Sequence, residues 1–363
     1  MFLADSDLFD IAGLCISLMY LNLKGCVSIS DVGLSRFIDK CKVLHSIVAS
    51  DTSFGKDSVA VLCSGISGSS RASKLLKLHI GGCYDIDEAT LQELVSQLYL
   101  VKSLCLRNTN LVDDALYSFS GSSLERLHVS STKVSGAALA YLVRKNPSLK
   151  NFKARDCKNL CQQERNGELY SALRETFSIE KISLGWGFTP FSLEALKPAI
   201  TSMRTISVGL GGSLGQDALT KLPVISPMLQ KVSLYFQVLS DDVIQSIMKS
   251  LSHLQMLALC YCLGDISPSS FNISMPNLKM LMLERVTPWM TNDHLIILTG
   301  SFPNLIKLSL LGCKFLNLDS QVIIAQRWPG LISLRLESLC SLGSFVPQHN
   351  YVIRVKGLDL SPG

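Results

Sequence analysis

The sequence predicts an α/β solenoid in which short parallel strands form one face and helices form the other. Three observations predict this fold: an apolar spacing that recurs along the chain, an alternating stretch inside each copy, and an amphipathic stretch after it. The spacing is L-x-x-L-x-L-x-x-C with substitutions, and clear copies begin at Leu18, Leu75, Leu149 and Leu305. A fixed period of about 20–30 residues is typical of stacked repeat proteins.

Thirteen copies follow one another, at a mean interval of about 26 residues. The weakest copies are those that begin at Leu44 and Met203. The spacing and the period together define leucine-rich repeats. The first apolar positions are Leu18, Leu44, Leu75, Val101, Leu124, Leu149, Ile179, Met203, Leu229, Leu254, Leu278, Leu305 and Leu331.

Each copy has two halves. The first half alternates apolar and polar residues, which predicts a short strand. The second half predicts a helix: Ser30 or Asp31 can cap a helix whose Leu34, Phe37 and Ile38 share one face. Because proline disfavours helix in the residue before it, prolines end several helices at the same phase. These prolines are Pro147, Pro276, Pro303 and Pro329.

One such unit cannot bury its apolar side alone, so stacked neighbours are expected to form a horseshoe with a concave strand face and a convex helix face. We expect the solenoid to span residues 1–344 and to start in mid-repeat. Asp5–Cys15, with Leu8, Ile11 and Leu14, predicts the helical half of a preceding repeat. This start favours a chain that is part of a larger product. Residues 345–363 leave the pattern and are expected to form a C-terminal tail or cap.

The composition fits a continuous stack. Hydrophobic residues make up 47% of the chain and the mean hydropathy is +0.31. The net charge of +5 does not by itself indicate a nucleic-acid partner. Acidic residues at the N-terminus argue against a signal peptide, and no run of about 20 apolar residues predicts a membrane span. The predicted location is cytoplasmic, nuclear or both.

The twelve cysteines predict reduced thiols that pack in the core rather than disulfides or ligands. Cys260-Tyr-Cys262 and Cys157-x-x-x-Cys161 could each be half of a metal site, but neither has an evident second pair. Five cysteines share one repeat position, at the turn after the strand: Cys26, Cys83, Cys157, Cys262 and Cys313.

No catalytic or cofactor motif is found. None of the six histidines falls in a metal-ligand or triad motif. The glycine-rich stretch V-G-L-G-G-S-L-G at 208–215 lacks the strand–turn–helix context and the downstream acid of a dinucleotide site. The chain is therefore predicted to be non-enzymatic, with no cofactor and no metal.

The unit L-x-x-L-x-L-x-x-C-x-x-I-x-D-x-G-L…C-x-x-L, as in Leu18 to Leu44, resembles the cysteine-containing leucine-rich repeats of F-box proteins. The later, more degenerate copies also resemble those of plant BTB/POZ-domain proteins with F-box-like leucine-rich repeats. The resemblance covers roughly residues 5–340. It implies that the repeats hold a protein substrate while another domain docks a cullin-type ubiquitin ligase. Neither an F-box nor room for a BTB fold precedes the first repeat, so ligase docking is expected only through a domain outside this chain.

The repeat register also predicts which side chains the strands present. A cationic group comes first, and an aromatic group follows in the later repeats. His79 and His128 share a phase two strands apart, about 10 Å, which is too far for one metal ion. The candidate partner-binding residues are Lys77, His79, Arg107, Arg126, His128, Lys153, Arg155, Lys181 and Trp186, and then Tyr235, Phe236 and Tyr261.

The repeat register predicts a protein-binding module with the protein substrate on the concave face, and the resemblance implies that it recognises substrates for a cullin-type ubiquitin ligase. The main alternative is a leucine-rich-repeat scaffold with no link to ubiquitin. A small-molecule pocket is a further alternative, although nothing in the sequence selects a ligand. Nucleic-acid binding is disfavoured because the charge is modest and aromatic residues are not interleaved with the cationic ones.

Overall fold

A computed structural model of the chain describes residues 4–65, 69–160, 167–176, 178–184, 196–197, 199–209, 214–313, 316, 319–337 and 350–354. The chain divides into two compact units. The first lies within residues 1–187 and 195–200, and the second within residues 188–194 and 201–363.

The described residues of the first unit form seven strands, β1 to β7, which pair in chain order and in parallel. Helices alternate with the strands. The strands are β1 (Tyr20–Asn22), β2 (Ser46–Val48), β3 (Lys77–His79), β4 (Ser103–Cys105), β5 (Arg126–His128), β6 (Asn151–Ala154) and β7 (Lys181–Leu184). The helices are α1 (Asp5–Ala12), α2 (Asp31–Lys40), α3 (Lys56–Cys63), α4 (Glu88–Ser96), α5 (Asp113–Tyr117), α6 (Gly136–Lys145) and α7 (Gly167–Glu175).

The second unit continues the strand–helix alternation. Strands β8 to β13 are parallel, and β14 (Asn350–Arg354) pairs antiparallel with β13. The parallel strands are β8 (Thr205–Val208), β9 (Lys231–Tyr235), β10 (Met256–Cys260), β11 (Met280–Glu284), β12 (Lys307–Leu311) and β13 (Ser333–Glu337). The helices are α8 (Gln216–Ile225), α9 (Asp241–Ser250), α10 (Asn292–Ser301) and α11 (Asp319–Arg327).

All thirteen predicted strand positions are confirmed, because one parallel strand begins two residues after each predicted first apolar position. The weak copies at Leu44 and Met203 supply β2 and β8 like the others. Where the sequence predicts a helix before Pro276, the structure has a short 3₁₀ segment at Pro268–Phe271.

The core of each unit lies between the sheet and the helices. The second residue of each parallel strand is buried, as are the predicted helix residues Leu34, Phe37 and Ile38. Helix α1 forms as predicted. Its Leu8 is buried, but Ile11 is 40% exposed and Leu14, beyond the helix, is 85% exposed. The helix ends before Leu14, and neither Ile11 nor Leu14 is covered within the described residues.

Aspartates join the helices of neighbouring repeats. The Asp31 carboxylate, at the start of α2, accepts hydrogen bonds from the backbone N–H groups of Gly55 and Asp57 (both 2.8 Å) and from the Ser58 hydroxyl (2.5 Å) at the start of α3. Gly55 has no side chain with which to cap α3, so the preceding helix supplies the acceptor. Asp241 repeats this arrangement in the second unit by accepting from the Ser270 hydroxyl.

The turn after each strand has a recurrent conformation. The fifth residue after the second residue of the strand is often a cysteine or a threonine, which donates to a backbone carbonyl at or just after the end of a strand. Cys83 Sγ lies 3.2 Å from Ala49 O, and Cys157 Sγ lies 3.2 Å from Val129 O. Cys83, Cys157, Cys262 and Cys313 are buried, as their predicted packing role requires, whereas Cys26 is half-buried. The residue before it has a positive φ in Gly25, Asp51, Gly82, Asn108, Ser131, Asp156, Phe236, Tyr261, Arg285 and Gly312.

Among the described helices, none combines the length and apolar content that crossing a membrane requires.

Candidate protein-binding face

In the first unit, the side chains that alternate with the core residues lie on the face of the sheet turned away from the helices, which we call the open face. Two rows of residues cross this face in register. One row is Lys77, Ser103, Arg126, Asn151 and Lys181. The other row is Val48, His79, Cys105, His128 and Lys153.

Short side chains in these rows create a depression of about 280 Å³ on the open face. Ser50, Ser103 and Cys105 contribute to its lining. Four cationic side chains also line it, and no aspartate or glutamate does so among the residues that the structure describes. These cationic residues are Lys24, Arg107, Arg126 and Lys153.

Arg107 is held by an acid that the sequence did not indicate. Its guanidinium forms an ion pair of 2.6 Å with Asp51, which follows β2, two strands away. The turn after the intervening strand, β3, contains Gly81 and Gly82 and lies between these two side chains. A Cβ at Gly81 would lie 2.5 Å from Arg107 Cγ, and one at Gly82 would clash with the Asp51 carboxylate. The glycine pair therefore makes room for this ion pair, and Asp51 does not pair with the other three cations that line the depression, Lys24, Arg126 and Lys153.

The two histidines of the open face are neutral at pH 7. Burial is the largest cause, and with the repulsion of Lys77, Arg126 and Lys24 it lowers the pKa of His79 to about 4. Burial also lowers the pKa of His128 to about 4, together with Lys153 and the arginines near it. His79 Nε2 lies 2.9 Å from Ser103 Oγ, and His128 Nδ1 lies 3.6 Å from Cys105 Sγ.

Neither thiol chemistry nor a metal site is supported on this face. Burial raises the pKa of the Cys105 thiol, which keeps it protonated at neutral pH. The described residues hold no group of three or more His, Cys, Asp or Glu side chains placed to bind a metal ion. The site can therefore offer cationic and neutral hydrogen-bond donors, which suit an anionic ligand.

The aromatic candidates lie in the second unit, and only Tyr235 belongs to a strand. Phe236 and Tyr261 occupy the positive-φ turn position of adjacent repeats, with φ values of 56° and 55°. Their rings stack at a centroid distance of 5.5 Å, and both side chains are nearly half exposed. Both residues directly follow the last residue of a strand, and their part in partner binding stays a prediction.

The cationic candidates of the first unit are otherwise brought together as predicted. Lys77 and Arg155 lie close enough to the histidines to influence their pKa values, and Lys181 is exposed on β7. Trp186 lies outside the described residues. Sequence reasoning missed Lys24, which occupies the repeat position of Arg107 and Arg155, so the register itself could have found it.

The parallel strands, the alternating helices and the repeated turn define a leucine-rich-repeat protein with a cationic open face in its first unit. No model of a known protein family matches the chain. The chain is 46% identical over 359 residues to the BTB/POZ domain-containing protein FBL11 of Arabidopsis thaliana, a match that covers 94% of this chain. The chain spans 38% of that relative's length. The predicted resemblance to the repeats of plant BTB/POZ-domain proteins of the F-box-like kind is confirmed.

Two solved structures are also similar to the chain. One is the Rad7 and Elc1 complex in yeast, with 13% identity and a TM-score of 0.49 over 88% of this chain and 86% of that chain. The other is an internalin from Listeria monocytogenes str. 4b F2365, with 13% identity and a TM-score of 0.44 over 83% of this chain and 82% of that chain. The assignment of the repeats rests on the strands, helices and turns of this chain.

Proposed function

We propose that the chain is a non-catalytic protein-binding module that selects substrates for a cullin-type ubiquitin ligase. The observation that carries this proposal is the cationic depression on the open face of the first unit. Uncompensated cations on short strands form a surface that an acidic segment of a partner protein can enter. The similarity to a BTB/POZ domain-containing relative supports the link to a ligase, which would dock through a domain outside this chain.

Several further features belong to the same proposal. The protein partner lies on the open face, neither nucleic acid nor membrane is a partner, and the protein acts in the cytoplasm, the nucleus or both. Strand β14 falls within residues 345–363 and pairs with β13, which supports a capping role for this segment in the second unit. The stacked ring pair of Phe236 and Tyr261 provides a separate apolar contact for a partner.

A charge-reversal variant tests the proposal. Arg126→Glu/Lys153→Glu/Arg155→Glu should abolish capture of partner proteins from native tissue while the far-ultraviolet circular dichroism stays unchanged. The matched control is Lys231→Glu/Lys279→Glu/Lys307→Glu, which makes the same charge change at three exposed lysines of the second unit. Equal capture by both variants and the unmodified chain would refute binding at the cationic face.

The ubiquitin link needs its own measurement. Proteins captured through the cationic face should become longer-lived, and carry less ubiquitin, when the gene for this protein is disrupted. Unchanged lifetimes would favour the alternative function, an interaction scaffold with no connection to ubiquitin.

A further inference from the structure

The depression on the open face gathers cationic side chains from several repeats. Lys24, Arg126 and Lys153 approach it from three different repeats, and Arg107 adds a guanidinium whose charge Asp51 offsets. Like charges repel one another, so the arrangement is costly unless an anion offsets it. A single carboxylate would compensate only one of these charges.

The floor of the depression offers neutral donors as well. Ser103 and His79 form one hydrogen-bonded pair, and His128 contacts Cys105. Asn151 also lines the depression, and its side-chain oxygen is buried without a hydrogen-bond partner among the described residues. The nitrogen and oxygen of an amide exchange places when its side chain is rotated, so Asn151 can present either a donor or an acceptor.

The size of the depression fits a compact group rather than an extended polymer. Its volume is about 280 Å³, several times the roughly 30 Å³ that one water molecule occupies in the liquid. A phosphate monoester carries a charge of about −1.5 to −2 at pH 7 and three strong acceptor oxygens. It therefore matches several cations and neutral donors at once, whereas a carboxylate has one charge and two oxygens.

We infer that the depression bounded by Lys24, Arg126 and Lys153 binds a phosphate monoester carried on a side chain of the partner protein. This inference rests on the proposed function, because it names the chemical class of the segment that the open face recognises. Arg126 is the side chain suited to a bidentate contact with two phosphate oxygens, and Lys24 and Lys153 supply point charges on either side.

The test uses the whole chain and bead-bound peptide libraries with degenerate flanks around a fixed central residue. The central residue is phosphoserine, serine or glutamate. The phosphoserine library should retain the chain about tenfold or more better than the other two, because charge-assisted hydrogen bonds to phosphate exceed those to a carboxylate. Equal retention on the phosphoserine and serine libraries, or on the phosphoserine and glutamate libraries, would overturn the inference.

Variants assign the binding to this depression. Arg126→Glu/Lys153→Glu should lose the retention on phosphoserine, whereas Lys231→Glu/Lys307→Glu should keep it. Arg126→Gln/Lys153→Gln provides a milder second variant and should also weaken retention about tenfold or more. Retention that persists in the glutamine variant, with an unchanged unfolding midpoint, would contradict the assignment.

A further arm separates a phosphorylated protein from a free phosphorylated small molecule. Inorganic phosphate and O-phosphoserine should each compete at least about tenfold more weakly than a retained phosphopeptide, because the flanking residues also contact the open face. Competition as strong as that of the phosphopeptide would show that the depression takes the free group, and would overturn the inference.

Failure of this inference differs from failure of the proposed function. If phosphatase treatment of the tissue extract does not reduce partner capture, but capture still requires Arg126 and Lys153, only the phosphate inference is refuted. Capture that ignores both residues would refute the proposed function as well.

Discussion

Replacing Asp31 with alanine should destabilise the first unit by about 1.5–5 kcal/mol, because this carboxylate caps the helix of the next repeat. Two contributions give this magnitude. Loss of the cap on the N–H groups of Gly55 and Asp57 costs about 0.5–2 kcal/mol. The fully buried Ser58 hydroxyl keeps only a long 3.5 Å contact to the backbone carbonyl of Asp31, and an unsatisfied buried hydroxyl costs about 1–3 kcal/mol.

Urea unfolding followed by far-ultraviolet circular dichroism measures this effect. Asp57→Ala is the matched control, since it removes an exposed carboxylate from the same helix turn and should cost less than about 1 kcal/mol. The double variant Asp31→Ala/Ser58→Ala leaves no unsatisfied buried hydroxyl. Its loss of stability should therefore be smaller than the sum of the losses of the two single variants by about 1 kcal/mol or more. A loss below about 0.5 kcal/mol for Asp31→Ala, or strict additivity, would refute the capping role.

Three other predictions concern the open face and the turns. Nuclear magnetic resonance titration should give His79 and His128 pKa values of about 4. Because these histidines take up protons near pH 6.5 only in the unfolded chain, the stability of the fold should fall as the pH drops from about 6.5 to 4. Ordinary imidazole pKa values would contradict the burial of these side chains. Gly82→Ala should lower the free energy of unfolding by about 1–2 kcal/mol or more, since Gly82 has a φ of 82°. Asn108→Gly, at the same turn position, should lower it little or raise it. Denaturant unfolding measures both variants, and equal effects would argue against the αL turn. Cys157→Thr should change the stability by less than about 1.5 kcal/mol, whereas Cys157→Leu should lower it by about 1–3 kcal/mol through overpacking. Thermal unfolding distinguishes the two variants, and a larger loss for threonine than for leucine would contradict the packing role.

Much of the fold could be predicted from the sequence because each repeat carries its own local signals. The apolar spacing around residues such as Leu78 and Leu104 placed every parallel strand, and Ser30 marked the start of α2 correctly. Contacts between repeats were harder to predict. Asp31 was a candidate cap for its own helix, but it caps the helix of the next repeat, 24–27 residues further on.

The candidate site could likewise be predicted from the sequence only in part. Register alone placed Arg126, His128 and Lys153 together on one face, as the structure does. Register could not show that Arg107 reaches back to Asp51, since that ion pair depends on the space left by two glycines in the intervening repeat. It also could not show that β9 ends before Phe236, because an aromatic residue rarely adopts a positive φ.

Site-specific photo-crosslinking tests most directly whether the open face of the first unit contacts a partner protein. A photo-reactive amino acid would replace Lys77 on the open face or, as the control, exposed Gln92 on helix α4. Incubation with native tissue extract should yield covalent partner adducts from position 77 and none of the same adducts from position 92. Adducts from position 92 alone, or the same adducts from both positions, would contradict binding on the open face.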